Sequence, residues 1–171
     1  LGLGAHVTVI GRDLSGLQRI LDQFPGIATM MPTRRNIEKA TAYADVVIGA
    51  VLVTGQRAPI LVTREMVRGM KPRSVIIDVS IDQGGCFETS RPTTHELPTF
   101  VEEGVLHYCV PNMPGVVART ATHAFVNAAM PYLIHITDHG VEEAIAADPS
   151  LEMGINTHNG RLVHLTLLEE R

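Results

Sequence analysis

The sequence has few of the residues that mark several common classes of protein. Among its 171 residues there is no tryptophan and there are only two cysteines. Two cysteines are too few for a disulfide framework, which favours a reducing cytoplasm. No apolar run approaches the roughly 18 residues that a membrane span needs, and no signal-peptide pattern is present. We therefore expect neither a membrane nor a secretory address.

Basic residues are also too few and too scattered to predict a surface for nucleic acid. Lys and Arg number 14 against 18 Asp and Glu, which gives a net charge of −4. The eight histidines contain no paired ligand motif such as H-E-x-x-H, so we expect no metal site. With 45% hydrophobic residues, this length suits one ordinary domain or a large part of a two-domain enzyme. Small molecules are the expected partners.

Short apolar strands alternate with helical patterns along the chain. Apolar runs predict strands over residues 6–10, 45–49, 74–79 and 105–110, and helical spacing predicts helices over 14–24, 37–43, 61–70, 120–136 and 141–147. Strands that are apolar at successive positions need cover on both faces, which is typical of a parallel sheet flanked by helices. We therefore predict a doubly wound α/β fold followed by C-terminal helices.

Two segments that follow predicted strands are candidates for a ligand site, because ligands of open α/β sheets bind beyond the carboxyl ends of the strands. Gly49–Gly55 is rich in small residues that admit a ligand close to the backbone, although a plain connection between elements explains it equally well. Asp78–Gly85 carries Asp82 before paired glycines. Its carboxylate could exchange protons with a substrate, but an acid in an isolated motif of this kind more often caps its own turn.

A third segment, Val110–Gly115, places an amide and a thioether between two prolines. Asn112 could bond a carboxamide while Met113 packs on a flat ring. An ordinary turn before a helix accounts for the same residues. Each of the three segments is therefore weak support for a site when it is taken alone.

Gly2 and Gly4 look like the start of a dinucleotide-binding turn, but the third glycine position holds Val7 and a strand follows where a helix is needed. They do not form a phosphate loop. If the fold binds a dinucleotide, we expect its glycine-rich turn and first strand to precede Leu1. Cys86 follows the paired glycines, and without a visible His or Asn partner it is interpreted as a small buried residue.

A longer ordered set of residues carries a resemblance over nearly the whole chain: Ala44–Val53, Lys71–Pro72, Asp78–Cys86, Ser90–His95, Pro98–Phe100, Asn112–Gly115 and Asn127–Tyr132. Together they resemble alanine dehydrogenase and the related proton-translocating transhydrogenase α-subunit. The Asp-Gln-Gly-Gly-Cys and Asn-Met-Pro-Gly forms favour alanine dehydrogenase, because the transhydrogenase usually carries Glu-Gln-Gly-Gly. The matched part is the NAD-binding and C-terminal portion, without the N-terminal part.

The resemblance implies NAD-dependent, reversible oxidative deamination of L-alanine to pyruvate and ammonia. By carry-over, Asp82 is the acidic catalytic residue near the nicotinamide. The residues that would contact the cofactor are Val51, Leu52, Val79, Ser80, Ile81, Asp82, Arg91, Val110, Pro111, Asn112 and Met113. The family also implies a homo-oligomer, commonly a hexamer.

The resemblance further implies a Rossmann-like, doubly wound parallel sheet that lacks its first strand and glycine-rich turn. We expect this partial dinucleotide-binding domain over residues 1–130. Residues 131–171 would form a C-terminal helical segment that packs on an absent N-terminal substrate domain. That domain supplies the family's other catalytic and substrate-binding residues, so we expect the chain alone to be inactive. A truncated, non-catalytic remnant or interaction protein is the alternative, followed by the transhydrogenase α-subunit.

The choice of cofactor is open, because Gly11 stands where the family has an acid that binds the adenosine ribose. Asp13 could replace this acid after a small shift. Arg12 could instead meet a 2′-phosphate, which leaves NADP open beside NAD. A solvated Arg-Asp pair at the start of a helix is the alternative without a ligand.

Overall fold

The computed structural model describes residues 1–53 and 55–163. These residues fall into two compact units. The first comprises residues 1–52 and 58–111, and the second comprises residues 53–57 and those from 112 onward.

The first unit consists of six short strands and the helices that connect them. Its strands are β1 (Thr8–Ile10), β2 (Ala28–Met30), β3 (Val46–Gly49), β4 (Val75–Asp78), β5 (Thr99–Glu102) and β6 (Val105–Tyr108). Its helices are α1 (Leu14–Gln23), α2 (Arg34–Tyr43), α3 (Arg64–Arg68) and a 3₁₀ helix, Val79–Gln83. Strands β1 and β2 pair in parallel, and the other four form a second sheet in the order β3-β4-β6-β5.

The larger sheet is parallel except at one edge. Strands β3, β4 and β6 run in parallel, and β5 pairs with β6 in the antiparallel direction. The turn between them consists of Glu103 (φ 52°) and Gly104 (φ 78°), two consecutive left-handed residues that suit a tight hairpin. The predicted parallel strands are therefore present, whereas β2 and the antiparallel β5 were not predicted.

Each of the three helices in this unit begins at a side chain that caps it. Asp13, Thr33 and Thr63 precede α1, α2 and α3, and each accepts a hydrogen bond from a backbone N–H in the first turn. Such caps satisfy amide groups that have no partner within the helix. These three capping side chains explain why α1, α2 and α3 begin at the residues that follow them.

The core lies between the larger sheet and helices α2 and α3. Its buried members are Ile37, Ala58, Val62, Met66, Val67, Met70, Ile76, Cys86, Phe87 and Val105. Cover on both faces was predicted for the parallel strands, and for β3 this is wrong within the residues that the structure describes. Val46 and Ile48 are 52% and 61% exposed there.

An ion network joins α3 to the β5–β6 hairpin. The guanidinium of Arg64 donates to Glu102 (2.5 Å) and Glu103 (2.9 Å), and Arg68 Nε donates to Glu103 at 3.0 Å. Hydrogen bonds from Arg68 and then Arg64 lower the pKa of Glu103 to about 2. The hairpin turn thus remains charged and paired through the neutral and mildly acidic range.

The second unit is mainly helical. It contains a 3₁₀ helix (Met113–Val117), α4 (Ala118–His139), α5 (Val141–Ala147) and α6 (Pro149–Met153), then the short pair β7 (Thr157–His158) and β8 (Arg161–Leu162). The two predicted C-terminal helices are present. A further helix, α6, was not predicted; Asp148 ends α5 and also caps α6.

The long helix α4 contains no buried residue. The predicted domain boundary after residue 130 falls inside this helix, and the predicted tail beyond residue 163 lies outside the described residues. Within the described part of the chain, every helix is too short or too polar to cross a membrane.

Candidate functional site

Strands β3 and β4 end side by side, which joins the first two predicted segments at the carboxyl edge of the sheet. Gly49, the last residue of β3, is paired in register with Asp78, the last residue of β4. Just beyond, the backbone N–H of Val51 donates to Ser80 Oγ at 2.7 Å, and Ser80 Oγ donates to the Val51 carbonyl at 2.9 Å. Ligands of open α/β sheets bind beyond the carboxyl ends of the parallel strands, and so we take this edge as the candidate site.

Asp82 lies on the 3₁₀ helix Val79–Gln83 and is exposed at this edge. This segment, which follows a predicted strand, forms a short helix that begins beyond the capping carboxylate of Asp78. Gly84 (φ 94°) and Gly85 (φ 79°) end it in the left-handed region that glycine adopts without strain. The paired glycines therefore turn the chain back beside Asp82.

Asp78 is fully buried beneath this helix and accepts several hydrogen bonds. The Ser80 N–H donates to its Oδ1 at 3.0 Å, whereas the Cys86 N–H (3.0 Å) and Ser90 Oγ (2.7 Å) donate to its Oδ2. The sequence placed Asp78 near a strand end without giving it a role. The sequence feature that could have indicated a role is an acid at the end of an apolar strand, shortly before a pair of glycines.

The close packing of this region requires glycine at two positions. A Cβ on Gly49 would collide with Cys86 Sγ and would lie 2.5 Å from Phe87 Cε2. A Cβ on Gly85 would lie 2.7 Å from Asp78 Oδ2, at a backbone φ of +79°. These distances are much shorter than van der Waals contact. The absence of a side chain at Gly49 therefore lets the end of β3 pack against Cys86 and Phe87, and its absence at Gly85 lets the turn pack against Asp78.

The two cysteines of the sequence are buried beside Asp78. The thiol of Cys86 lies 3.7 Å from Asp78 Oδ1, and the thiol of Cys109 lies 3.6 Å from Ser90 Oγ. Burial, followed by the negative charge of Asp78, raises the pKa of Cys86 to about 12. Burial also raises the pKa of Cys109. Both thiols are therefore protonated at neutral pH, and the interpretation of Cys86 as a small buried residue is confirmed.

Arg91, a predicted cofactor contact, follows Ser90 and is exposed. Its guanidinium lies over the ring of Phe100, 4.1 Å from the ring centroid. Phe100 belongs to the end of β5 that lies opposite the carboxyl end of β6. This cation–π contact holds a positive charge near the candidate edge.

The third predicted segment spans the division between the two units. Val110 is buried and Pro111 half-buried at the end of the first unit. Asn112 begins the second unit in a left-handed conformation (φ 50°, ψ 49°), and Met113 starts a 3₁₀ helix. The structure thus joins Val51 to the Val79–Asp82 segment through Ser80, and Leu52 follows Val51 in the chain, whereas Asn112 and Met113 belong to the second unit.

Gly11, Arg12 and Asp13 follow β1, where the family has an acid that binds the adenosine ribose. The Gly11 N–H donates to the Met30 carbonyl at 3.2 Å. Asp13 caps α1 and lies 3.7 Å from the guanidinium of Arg19, not in a pair with Arg12. The hydrogen bond from the Ser15 hydroxyl is the main reason that the pKa of Asp13 is lowered.

His107 is a buried polar residue that the sequence did not single out as a site residue. Its Nδ1 donates to the Val105 carbonyl at 2.9 Å, so its Nε2 must accept the hydroxyl proton of Thr89 at 2.7 Å. Its ring stacks on Phe100 with centroids 4.9 Å apart. Burial lowers the pKa of His107, and both ring nitrogens are satisfied in the neutral form.

We expect His107 to make the protein less stable in mild acid. Below the ordinary His pKa of about 6.5, the unfolded chain takes up a proton that the folded protein resists. Stability is therefore full above this value and falls as the pH drops toward the lowered pKa of the folded state. Urea unfolding of the full-length protein at about pH 7.5 and about pH 5.5 measures the loss. His107→Gln should reduce this pH-dependent loss of stability, whereas His95→Gln, a change at an exposed histidine, should leave the loss unchanged.

The comparisons with known proteins agree with the geometry of the carboxyl edge. The family model described as alanine dehydrogenase/PNT, C-terminal domain, matches residues 1–165. The chain belongs to this family. The resemblance predicted from the ordered motifs is therefore confirmed.

Curated relatives in the alanine dehydrogenase/PNT family include the alanine dehydrogenases of Halomonas elongata and Mycolicibacterium smegmatis. The first is 49% identical over 99% of this chain and 46% of its own length, and the second is 49% identical over 95% and 44%. The chain thus spans about half the length of the curated relatives that it matches.

Solved structures of family members show the same fold. A structure of L-alanine dehydrogenase matches 95% of this chain and 45% of its own, with a TM-score of 0.83 and 44% identity. A transhydrogenase from Sinorhizobium meliloti matches 95% of this chain and 43% of its own, with a TM-score of 0.72 and 25% identity. The predicted Rossmann-like α/β fold is confirmed.

Among the described residues, no group of three or more His, Cys, Asp or Glu side chains could hold a metal ion.

Proposed function

We propose that the full-length protein is an NAD-dependent alanine dehydrogenase, to which these residues contribute the cofactor-binding part. The observation that carries the proposal is the exposed carboxylate of Asp82 where β3 and β4 end together. It belongs to the Asp-Gln-Gly-Gly-Cys form that resembles alanine dehydrogenase and not the transhydrogenase. The reaction converts L-alanine, NAD⁺ and water into pyruvate, ammonium, NADH and one proton.

The residues at the carboxyl edge suit a flat cofactor ring. Leu52 and Val79 are 65% and 47% exposed, and they follow strands that are paired in register. Exposed apolar side chains at such an edge offer a surface on which a ring can pack. Arg91 supplies a nearby positive charge that suits a ribose or pyrophosphate oxygen. Leu52, Val79 and Arg91 would hold NAD at this edge, where it would supply the hydride acceptor for the oxidation.

Asp82 would act on the proton transfers that accompany this oxidation. Oxidation of an amine gives an imine, which water must attack before ammonia leaves. A carboxylate at the edge can accept a proton, orient that water or stabilise the developing cation. Asp82 lies on the 3₁₀ helix between buried Ile81 and the glycine turn, and it is exposed.

The choice between NAD and NADP belongs to this proposal as well. Gly11 offers no carboxylate to a ribose, and the carboxylate of Asp13 is engaged in capping α1. Arg12 is exposed beside them. We favour NAD because of the likeness to alanine dehydrogenases, with NADP as the alternative that Arg12 supports.

The C-terminal helical segment and the oligomer are further parts of the proposal. We infer that residues from 131 onward pack on an N-terminal substrate domain and that the enzyme is a cytoplasmic homo-oligomer, commonly a hexamer in this family. Helix α4 supports a covering partner, because its large apolar side chains are exposed, with Phe125 at 72% and Leu133 at 54%.

The full-length protein should form NADH when it is supplied with L-alanine and NAD, and its rate with NADP should be much lower. Absorbance at the nicotinamide band, with pyruvate and ammonia measured as products, checks this directly. Absence of alanine-dependent reduction of either dinucleotide would contradict the proposal. It would favour the remnant or interaction protein. Hydride exchange between NADH and NADP without alanine would favour the transhydrogenase α-subunit, which the structural likeness at 25% identity supports less well.

A further inference from the structure

We propose that Asp78 is a positioning residue that holds three cofactor-contacting segments in one arrangement, an inference that rests on the proposed function. Its carboxylate is fully buried, and so it reaches a cofactor only through the residues that it binds. The three segments are the one after β3, the 3₁₀ helix that carries Asp82, and the strand connection that carries Arg91.

The first two segments are connected through Ser80. The backbone N–H of Ser80 donates to Asp78 Oδ1 at 3.0 Å, which fixes the first turn of the helix that carries Asp82. The hydroxyl of Ser80 then bonds both the N–H and the carbonyl of Val51, at 2.7 and 2.9 Å. A shift of the carboxylate would therefore move the Val51 backbone and the Asp82 helix together.

The third segment is connected through the other carboxylate oxygen. Asp78 Oδ2 accepts from the Cys86 N–H at 3.0 Å, which closes the turn after the glycine pair. It also accepts from Ser90 Oγ at 2.7 Å, one residue before Arg91. The residues that donate to Asp78 thus lie on both sides of Asp82 along the chain and next to Arg91.

An amide at this position cannot reproduce the arrangement. Asp78→Asn has one acceptor oxygen, whereas the carboxylate accepts backbone N–H groups at both oxygens. In either orientation of the amide, its NH₂ group faces the N–H of Ser80 or of Cys86. One backbone donor is then buried without a partner, and the turn must move to reach another.

The test compares Asp78→Asn with a variant that is destabilised elsewhere in the same core. In the full-length protein, Asp78→Asn should raise the Kd for NADH by roughly tenfold and lower kcat/KM by about a hundredfold, the order expected for a misplacement of about 1 Å. The KM for alanine should change less than kcat. Val67→Ala, which truncates a buried residue of α3, should lower the Tm while the Kd for NADH and kcat remain at wild-type values.

Ser90→Ala keeps the inference testable if Asp78→Asn does not fold. It removes one hydroxyl donor and leaves the buried carboxylate in place, so the Kd for NADH should rise by a smaller factor, roughly threefold. If Ser90→Ala binds NADH as wild type does, or if folded Asp78→Asn does so, the inference is wrong. A wild-type protein that binds no NADH would instead overturn the proposed function, which keeps the two failures distinct.

Discussion

Asp82→Asn in the full-length protein should lower kcat for alanine oxidation by about 10² to 10⁴, the range that positioned acid–base groups contribute. The amide has nearly the same size as the carboxylate, but it cannot accept a proton or carry the negative charge. Asp82 is exposed on a helix whose backbone is held by its neighbours, so the substitution should leave the fold intact. Steady-state kinetics together with NADH titration separates the two effects, and the Kd should remain near the wild-type value.

Asp45→Asn is the matched control for this substitution. Asp45 is an exposed acid that immediately precedes β3, and it pairs with Lys71 at 2.8 Å. It lies at the amino end of the strand, away from the edge that carries Asp82, so kcat and Kd should not change. A fully active Asp82→Asn enzyme would remove Asp82 from the mechanism and leave it as an ordinary turn residue.

Gly49→Ala should destabilise the protein by about 3 kcal/mol, the upper part of the usual range for overpacking a core. The added methyl would meet the thiol of Cys86 and the ring of Phe87, and both residues are 2% exposed. Neither side chain can swing into solvent, so the end of β3 must separate from the loop beside it. Thermal and urea unfolding of the full-length protein measure the loss.

Gly69→Ala is the control, because it replaces a glycine with alanine at a position where the added methyl group meets no close neighbour. Gly69 has an ordinary helical φ of −80°, and an added Cβ would lie no closer than 3.4 Å to its nearest neighbour, the Met66 carbonyl. This change should be neutral or slightly stabilising, because alanine restricts the unfolded chain. A wild-type Tm for Gly49→Ala would mean that Cys86 and Phe87 move aside freely, which contradicts close packing at this edge.

The parallel part of the sheet could be predicted because its strands are continuous apolar runs. Residues 46–49 and 75–78 are apolar at nearly every position, and each is preceded by a helical pattern. Strand β5 could not be predicted in this way, since its sequence, Thr99–Glu102, is polar at both ends and its turn, Glu103–Gly104, lacks the common Asn-Gly or Asp-Gly signal. Its partner and direction depend on packing against β6, which is a tertiary effect.

The candidate site could be predicted only in part, for a similar reason. The position of Asp82 follows from the end of a strand and a glycine pair, both of which are local features. The role of Asp78 depends on donors two, eight and twelve residues further along the chain. Such a network forms only when the 3₁₀ helix and the glycine turn bring these donors together, and no spacing rule encodes it.

The buried thiols beside Asp78 give this protein an intrinsic reporter of local opening. Cys86 and Cys109 are 2% and 0% exposed, so an alkylating reagent can reach either one only when the structure around it opens. The labelling rate then measures the free energy of that opening, as amide hydrogen exchange does for backbone groups. Mass spectrometry of the peptides that contain Cys86 and Cys109 can therefore follow the stability of the region around the 3₁₀ helix that carries Asp82.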